Sequence, residues 1–202
     1  MDNRPIGFFD SGLGGLTSVS ALQNRLPKER VIYYGDTART PYGSKSPETI
    51  RKFASQIVDY LVSKDVKMVV IACNTVTSLA LDELRQQHPE LPIIGVIEPT
   101  VRKVVESHCP NVGIIATKAT IQSDVYARLL HNLDPSIRTS SLACPAFVPL
   151  IEEGIIDNEI MDLTIRYYMD DFVRENGFNH LILGCTHYPM IADNLKRIYP
   201  HM

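Results

Sequence analysis

A chain of 202 residues, 45 % hydrophobic and 21 % charged, is long enough for one large or two small globular domains. A net charge of −3 shows no basic excess, so nucleic acid is not expected as the main partner, and no run approaches the ~20 apolar residues of a membrane span. The start MDNRPIGFFD lacks a signal-peptide core, and four cysteines without CxxC spacing make no disulfide framework, so a reduced, cytoplasmic setting is expected.

Taken in order, Pro5–Asp10 is a short apolar strand ending in a carboxylate. The glycine-rich turn SGLGGL then opens a helix over Leu16–Leu26. Arg30–Asp36 is a second strand, and Thr37–Ser46 is a loop rich in turn formers. Ser46 and Pro47 start a helix through Ser63, as N-cap and first-turn proline. A strand to Cys73, a helix over Val76–Gln87 and a strand over Pro92–Ile97 follow. The second half predicts a strand over Val112–Thr117, a helix over Thr120–Leu133 and a strand over Thr139–Cys144. A proline-bounded loop, a helix near Asp157–Glu175, the strand to Cys185 and a helix over Met190–Ile198 end the chain. Alternating strands and helices argue for parallel βαβ units.

The two halves repeat. Ile50–Cys73 and Asp162–Cys185 are both 24 residues long. Their apolar positions coincide at Phe53/Ile165, Ile57/Met169, Tyr60/Phe172, Leu61/Val173 and Val66/Phe178. Val69–Thr75 (VVIACNT) is echoed by Leu181–His187 (LILGCTH), and Val112–Thr117 matches Ile6–Ser11 at an offset of 106, with Gly113 under Gly7 and Thr117 under Ser11. The fold class is therefore α/β, with two similar domains related by internal duplication. Each has a parallel-type sheet flanked by helices, and the active site is expected in the cleft between them. The expected domains are 1–97, carrying Asp10 and Cys73, and 98–202, carrying Glu152, Cys185 and His187, with the boundary in Glu98–Pro110. Twenty residues after Cys73 comes the strand PIIGVI, but no counterpart follows Cys185. The repeat thus predicts a second domain missing its last strand, in a chain truncated at its carboxyl end.

Strand ends in open parallel sheets build sites. Cys73 and Cys185 each occupy one, followed by Asn74-Thr75 and Thr186-His187. Either alone is more often a buried small hydrophobe; the equivalent placement argues for chemistry. Two thiols facing each other across a cleft suit removal of a proton from one face of a carbon and its return on the other. A free thiol has pKa ~8.5, so forming the thiolate at neutral pH costs about 2 kcal/mol. Asp10 beside Cys73 and His187 beside Cys185 are the candidate proton relays. The alternatives are an N-cap for Asp10 and a backbone-bonded loop residue for His187. Cys109 and Cys144 lack such flanks and are assigned to the core.

The turn Gly12-Leu13-Gly14-Gly15 fails the dinucleotide fingerprint, because Thr17 stands where a glycine is required. It suits either a carboxylate cradle or a purely structural turn. Glu152-Glu153 resembles a solvated helix end, although an offset of 110 sets Glu152 near Tyr42 and so towards the same cleft. Ser11, Tyr42-Gly43 and Thr117 would supply contacts to a small polar ligand. No pair of cysteines or histidines has zinc spacing, so no metal is expected. A thiol phosphatase would need an arginine six residues after its cysteine, where Leu79 and Ile191 stand.

GFFDSGLGGLT (7–17), GDTARTPYG (35–43), ACNT (72–75) and GCTHYP (184–189) together resemble the glutamate racemases, within the aspartate/glutamate racemase superfamily. The likeness covers the whole chain. It implies a cofactor-independent, two-base interconversion of L- and D-glutamate in the cytoplasm, supplying D-glutamate for peptidoglycan. It implies that Cys73 takes the α-proton from D-glutamate and Cys185 from L-glutamate, assisted by Asp10 and by His187 backed by Glu152. Asp10, Ser11, Tyr42, Gly43, Asn74, Thr75, Thr117, Thr186 and His187 would hold the substrate. The expected partners are that small molecule and a second copy in a homodimer, with neither nucleic acid nor membrane. The alternatives are racemisation of aspartate and an inactive, truncated fragment that binds substrate only.

Overall fold

The computed structural model describes residues Asp2–Met202. The chain divides into two compact units, one running to Ile97 and the other from Glu98 to Met202.

In the first unit, β1 (Ile6–Asp10), β2 (Val31–Gly35), β3 (Met68–Ile71) and β4 (Ile93–Gly95) form a wholly parallel sheet in the order β2-β1-β3-β4. Every residue of β1 is buried, as a central strand covered on both faces must be. The connections are α1 (Leu16–Arg25), α2 (Pro47–Val62) and α3 (Asn74–Gln87). Ser46 caps α2 by accepting the Thr49 N–H at 3.3 Å, ahead of Pro47 in the first turn. The buried face of α2 is Ile50, Ala54, Ile57, Val58 and Leu61, the 3.6-residue pattern of a helix on a sheet. Full burial of each larger side chain is worth roughly 1.5–3 kcal/mol.

The second unit repeats the plan with β5 (Asn111–Ala116), β6 (Arg138–Ala143) and β7 (His180–Gly184), parallel in the order β6-β5-β7. Register is conserved through the duplication. Ile6 pairs with Met68 and Phe9 with Ile71, while Val112 pairs with His180 and Ile115 with Leu183. The helix α8 (Glu159–Asn176) is capped by Asn158 and closed by left-handed Gly177 (φ +59°). Its buried residues Met161, Ile165, Met169 and Val173 pack in one core with Phe147, Phe178 and Tyr188. Among the described residues no helix is long and apolar enough to cross a membrane.

One segment left without an element is a helix, and three local expectations need correction. The boundary region carries a helix, α4 (Ile97–Glu106), in which Ile97 and Val101 are buried one turn apart and Pro99 falls in the first turn. The helix expected over Thr120–Leu133 is two, α5 (Lys118–Gln122) and α6 (Val125–Leu133), because Asp124 takes a left-handed conformation (φ +53°) between them. The proline-bounded loop before Glu152 contains a short helix, α7 (Phe147–Glu152), anchored by buried Phe147 and Ile151. The final helix begins as a 3₁₀ turn at Tyr188–Ile191 and becomes α-helical only over Ala192–Ile198, α9.

Candidate active site

Each unit builds its own constellation at the carboxyl end of its central strands. In the first, β1 delivers Asp10, which is fully buried. One of its carboxylate oxygens accepts the backbone N–H of Gly12 at 3.2 Å and of Gly15 at 3.1 Å. The glycine turn is thus a carboxylate cradle, but the carboxylate it holds is the chain's own. Glycine is required at 15: an added Cβ there would lie 2.6 Å from the Asp10 Cβ and 2.9 Å from that of Ala72. Asp10 is not the side-chain cap of α1, whose N-cap position is Gly15.

Cys73 lies two residues beyond β3, as the N-cap of α3 rather than as the last residue of the strand. Its thiol donates to the Ser11 hydroxyl at 3.6 Å, and its sulfur accepts backbone N–H groups of Ser11 and Val76. Burial and the neighbouring Asp10 carboxylate outweigh these donors and push the thiol up to about 12. Cys73 therefore rests protonated at neutral pH. Asn74 and Thr75 occupy the first turn of α3 and are buried beside it.

The loop after β2 carries Tyr42 and Gly43. Tyr42 is buried, with its hydroxyl given to the Asp36 carboxylate and its ring centroid 5.7 Å from that of Phe53. The same carboxylate pairs with Arg39 Nε at 2.6 Å, and the Arg39 guanidinium lies 4.1 Å from the Phe53 ring centroid. Thr40 Oγ1 donates to the Ser11 carbonyl at 2.5 Å. Tyr42 thus anchors its loop through its side chain, which leaves the main chain around Gly43 as the surface the loop can offer a ligand. Asp36 and Arg39 were not among the expected site residues; the signal that could have found them is their place in GDTARTPYG (35–43).

In the second unit Cys185, His187 and Glu152 come together. The Cys185 sulfur is 3.8 Å from His187 Nδ1, and His187 Nε2 is 2.5 Å from Glu152 Oε1. The imidazole is buried, at 7 % side-chain exposure against 41 % for Glu152, so the carboxylate is the solvent-facing end of this relay. A thiol, an imidazole and a carboxylate in sequence can move a proton between sulfur and solvent. Thr117, the counterpart of Ser11 in the repeat, caps α5 through the Thr120 N–H at 3.3 Å. Thr186, between Cys185 and His187 in the sequence, is half-buried. Cys109 and Cys144 are buried, and the Cys144 carbonyl accepts the Tyr188 hydroxyl at 2.9 Å. Among the described residues no group of three His, Cys, Asp or Glu side chains is placed to hold a metal ion.

The Asp/Glu/Hydantoin racemase family model matches residues 17–200. A glutamate racemase of Geobacter metallireducens is 47 % identical over 196 residues, covering 96 % of this chain and 70 % of that protein. The crystal structure of the Francisella tularensis glutamate racemase in complex with D-glutamate superposes with a TM-score of 0.93 at 44 % identity, covering 99 % of this chain and 75 % of that one. An aspartate racemase of Picrophilus torridus, at 18 % identity and a TM-score of 0.66 over 94 % of this chain and 84 % of its own, shares the fold alone. A match over nearly the whole chain, on a duplicated α/β plan with a thiol at the same register in each unit, places this protein in the Asp/Glu/Hydantoin racemase family.

Proposed function

We infer that this chain is a glutamate racemase, an isomerase that interconverts L- and D-glutamate with two thiols as its bases. The observation that carries the reading is the pair Cys73 and Cys185: equivalent in the duplication, each beside its own acid–base partner. The names of the relatives, at 43–47 % identity, favour glutamate over aspartate as substrate.

Starting from D-glutamate, the Cys73 sulfur, as thiolate, takes the α-proton and leaves the electron pair on the α-carbon. The Cys185 thiol then donates its proton to the opposite face. L-Glutamate leaves, and the two sulfurs have exchanged protonation states. The reverse direction uses the same groups in the opposite order. Because burial and Asp10 hold Cys73 as a thiol, its thiolate forms only when that unfavourable charge is relieved. Transfer of the thiol proton to the Asp10 carboxylate does so, and the cationic ammonium of the substrate stabilises the result. On the other side His187 relays the Cys185 proton and Glu152 orients the imidazole. Ser11, the Tyr42–Gly43 main chain, Asn74, Thr75, Thr117 and Thr186 hold the carboxylates and ammonium of the substrate. The reaction supplies D-glutamate for peptidoglycan in the cytoplasm, and the enzyme acts as a homodimer, which sedimentation would register as twice the chain mass.

The decisive measurement is incubation with each enantiomer of glutamate in heavy water, with the α-proton followed by NMR. The α-proton should be lost from both, and Cys73→Ala or Cys185→Ala should reduce racemisation at least ~10³-fold. Stabilisation by glutamate without exchange, full turnover in either variant, or exchange confined to aspartate would overturn the reading.

A further inference from the structure

Tyr33, in β2, is used by none of the steps above, yet its hydroxyl reaches into the turn that holds Asp10. It donates to the Gly12 carbonyl at 2.8 Å. A Cβ added at Gly15 would lie 2.9 Å from that hydroxyl, and one added at Gly35 would lie 2.6 Å from the Gly12 carbonyl and 3.1 Å from the Tyr33 ring. The glycines at 15 and 35 are therefore the room in which phenol, turn and carboxylate fit. On the other side of the same turn the N–H groups of Gly12 and Gly15 converge on one Asp10 oxygen. Gly12 is gripped from both ends, by Asp10 at its N–H and by Tyr33 at its carbonyl. Burial and, after it, the nearby Asp10 carboxylate raise the phenol, so it stays a donor through the neutral range.

We propose that Tyr33 is a positioning residue that sets the glycine turn and, through it, aims the Asp10 carboxylate at Cys73. This rests on the two-thiol reading given above. Removing the hydroxyl leaves a buried Gly12 carbonyl without this donor. The turn then relaxes, and the Asp10 oxygen moves relative to the sulfur it serves. Small displacements of a proton acceptor cost catalysis heavily while leaving substrate contacts in place.

Tyr33→Phe tests this, with Tyr34→Phe as control: Tyr34 adjoins it in β2 and packs its ring on Tyr60, at 5.4 Å between centroids. With D-glutamate, Tyr33→Phe should lower kcat about tenfold with KM within about twofold, since an interaction used in the transition state is lost. A merely structural role would not move the next readout. With α-deuterated substrates, the isotope effect on kcat/KM should rise for D-glutamate, whose proton Cys73 takes, and fall for L-glutamate, because only the barrier at Cys73 has risen. Amide exchange at Gly12 and Gly15 should quicken while β1 keeps its protection, which tests the turn without using activity. Where the wild type exchanges the α-proton, unchanged kinetics in Tyr33→Phe would overturn the positioning role alone, as would a loss that leaves both isotope effects unchanged. A wild type that does not exchange the α-proton of glutamate would overturn this proposal together with the function it serves.

Discussion

Asp36 shows how much a single buried carboxylate can organise. It accepts from Tyr42 and Arg39, while its own N–H donates to the Asp10 carbonyl at 3.1 Å, so the loop and the end of β1 share one anchor. Tyr42→Phe keeps the ring against Phe53 but removes one donor from a buried charge. The expected cost is about 1–2 kcal/mol of stability, read as a lower urea midpoint at unchanged m-value, and weaker glutamate binding from a loosened loop. That Asp10 and Cys73 are neighbours was legible in the residues. That the glycine turn faces Asp10 rather than a ligand was not, because a run of glycines does not record which acceptor its N–H groups meet.

At the scale of elements, the duplication sets up an experiment in packing. A Cβ on Gly7 would lie 3.2 Å from Leu61 and 3.3 Å from Val66, whereas one on Gly113 would lie 2.5 Å from the Phe178 ring. Val66 and Phe178 are equivalent in the repeat, so the larger ring leaves Gly113 no slack. Gly113→Ala should cost about 1–3 kcal/mol by overpacking, and Gly7→Ala less, measured by thermal or urea unfolding. An order reversed between the two would mean that the neighbours of Gly113 yield more easily than a buried ring should. Helices with clear caps, such as α2 behind Ser46 and α8 behind Asn158, were placed to within two residues by their sequence. The break at Asp124 and the helix at Phe147 were not: the first depends on one left-handed residue, the second on two buried anchors.

For the whole molecule, each unit contributes a thiol whose proton is linked to folding. Cys73 in the first and Cys144 in the second are both pushed up to about 12 by burial, with Asp10 adding to the effect at Cys73. The folded state keeps these protons after the unfolded chain has lost them, so their contribution is complete below the unfolded thiol range, near pH 9, and is lost as pH rises towards about 12. Unfolding free energy should therefore fall by about 1.36 kcal/mol per pH unit per thiol on the alkaline side. Cys144→Ala should flatten that limb in urea titrations between pH 8.5 and 10.5; an unaltered slope would mean the Cys144 proton is not linked to folding.

The alternation of apolar runs, the spacing of helical faces and the repeat were enough, by themselves, to give an α/β class, the duplication and the equivalent placement of Cys73 and Cys185. These features are local or recur along the chain, and periodicity records them directly. Tertiary structure alone decided what each polar group faces. It gave the turn's N–H groups to Asp10, the Tyr42 hydroxyl to Asp36, the Tyr33 hydroxyl to Gly12 and the His187 imidazole to Glu152. A hydrogen bond depends on angles and distances between residues far apart in sequence, and residue order does not carry those until the strands have paired.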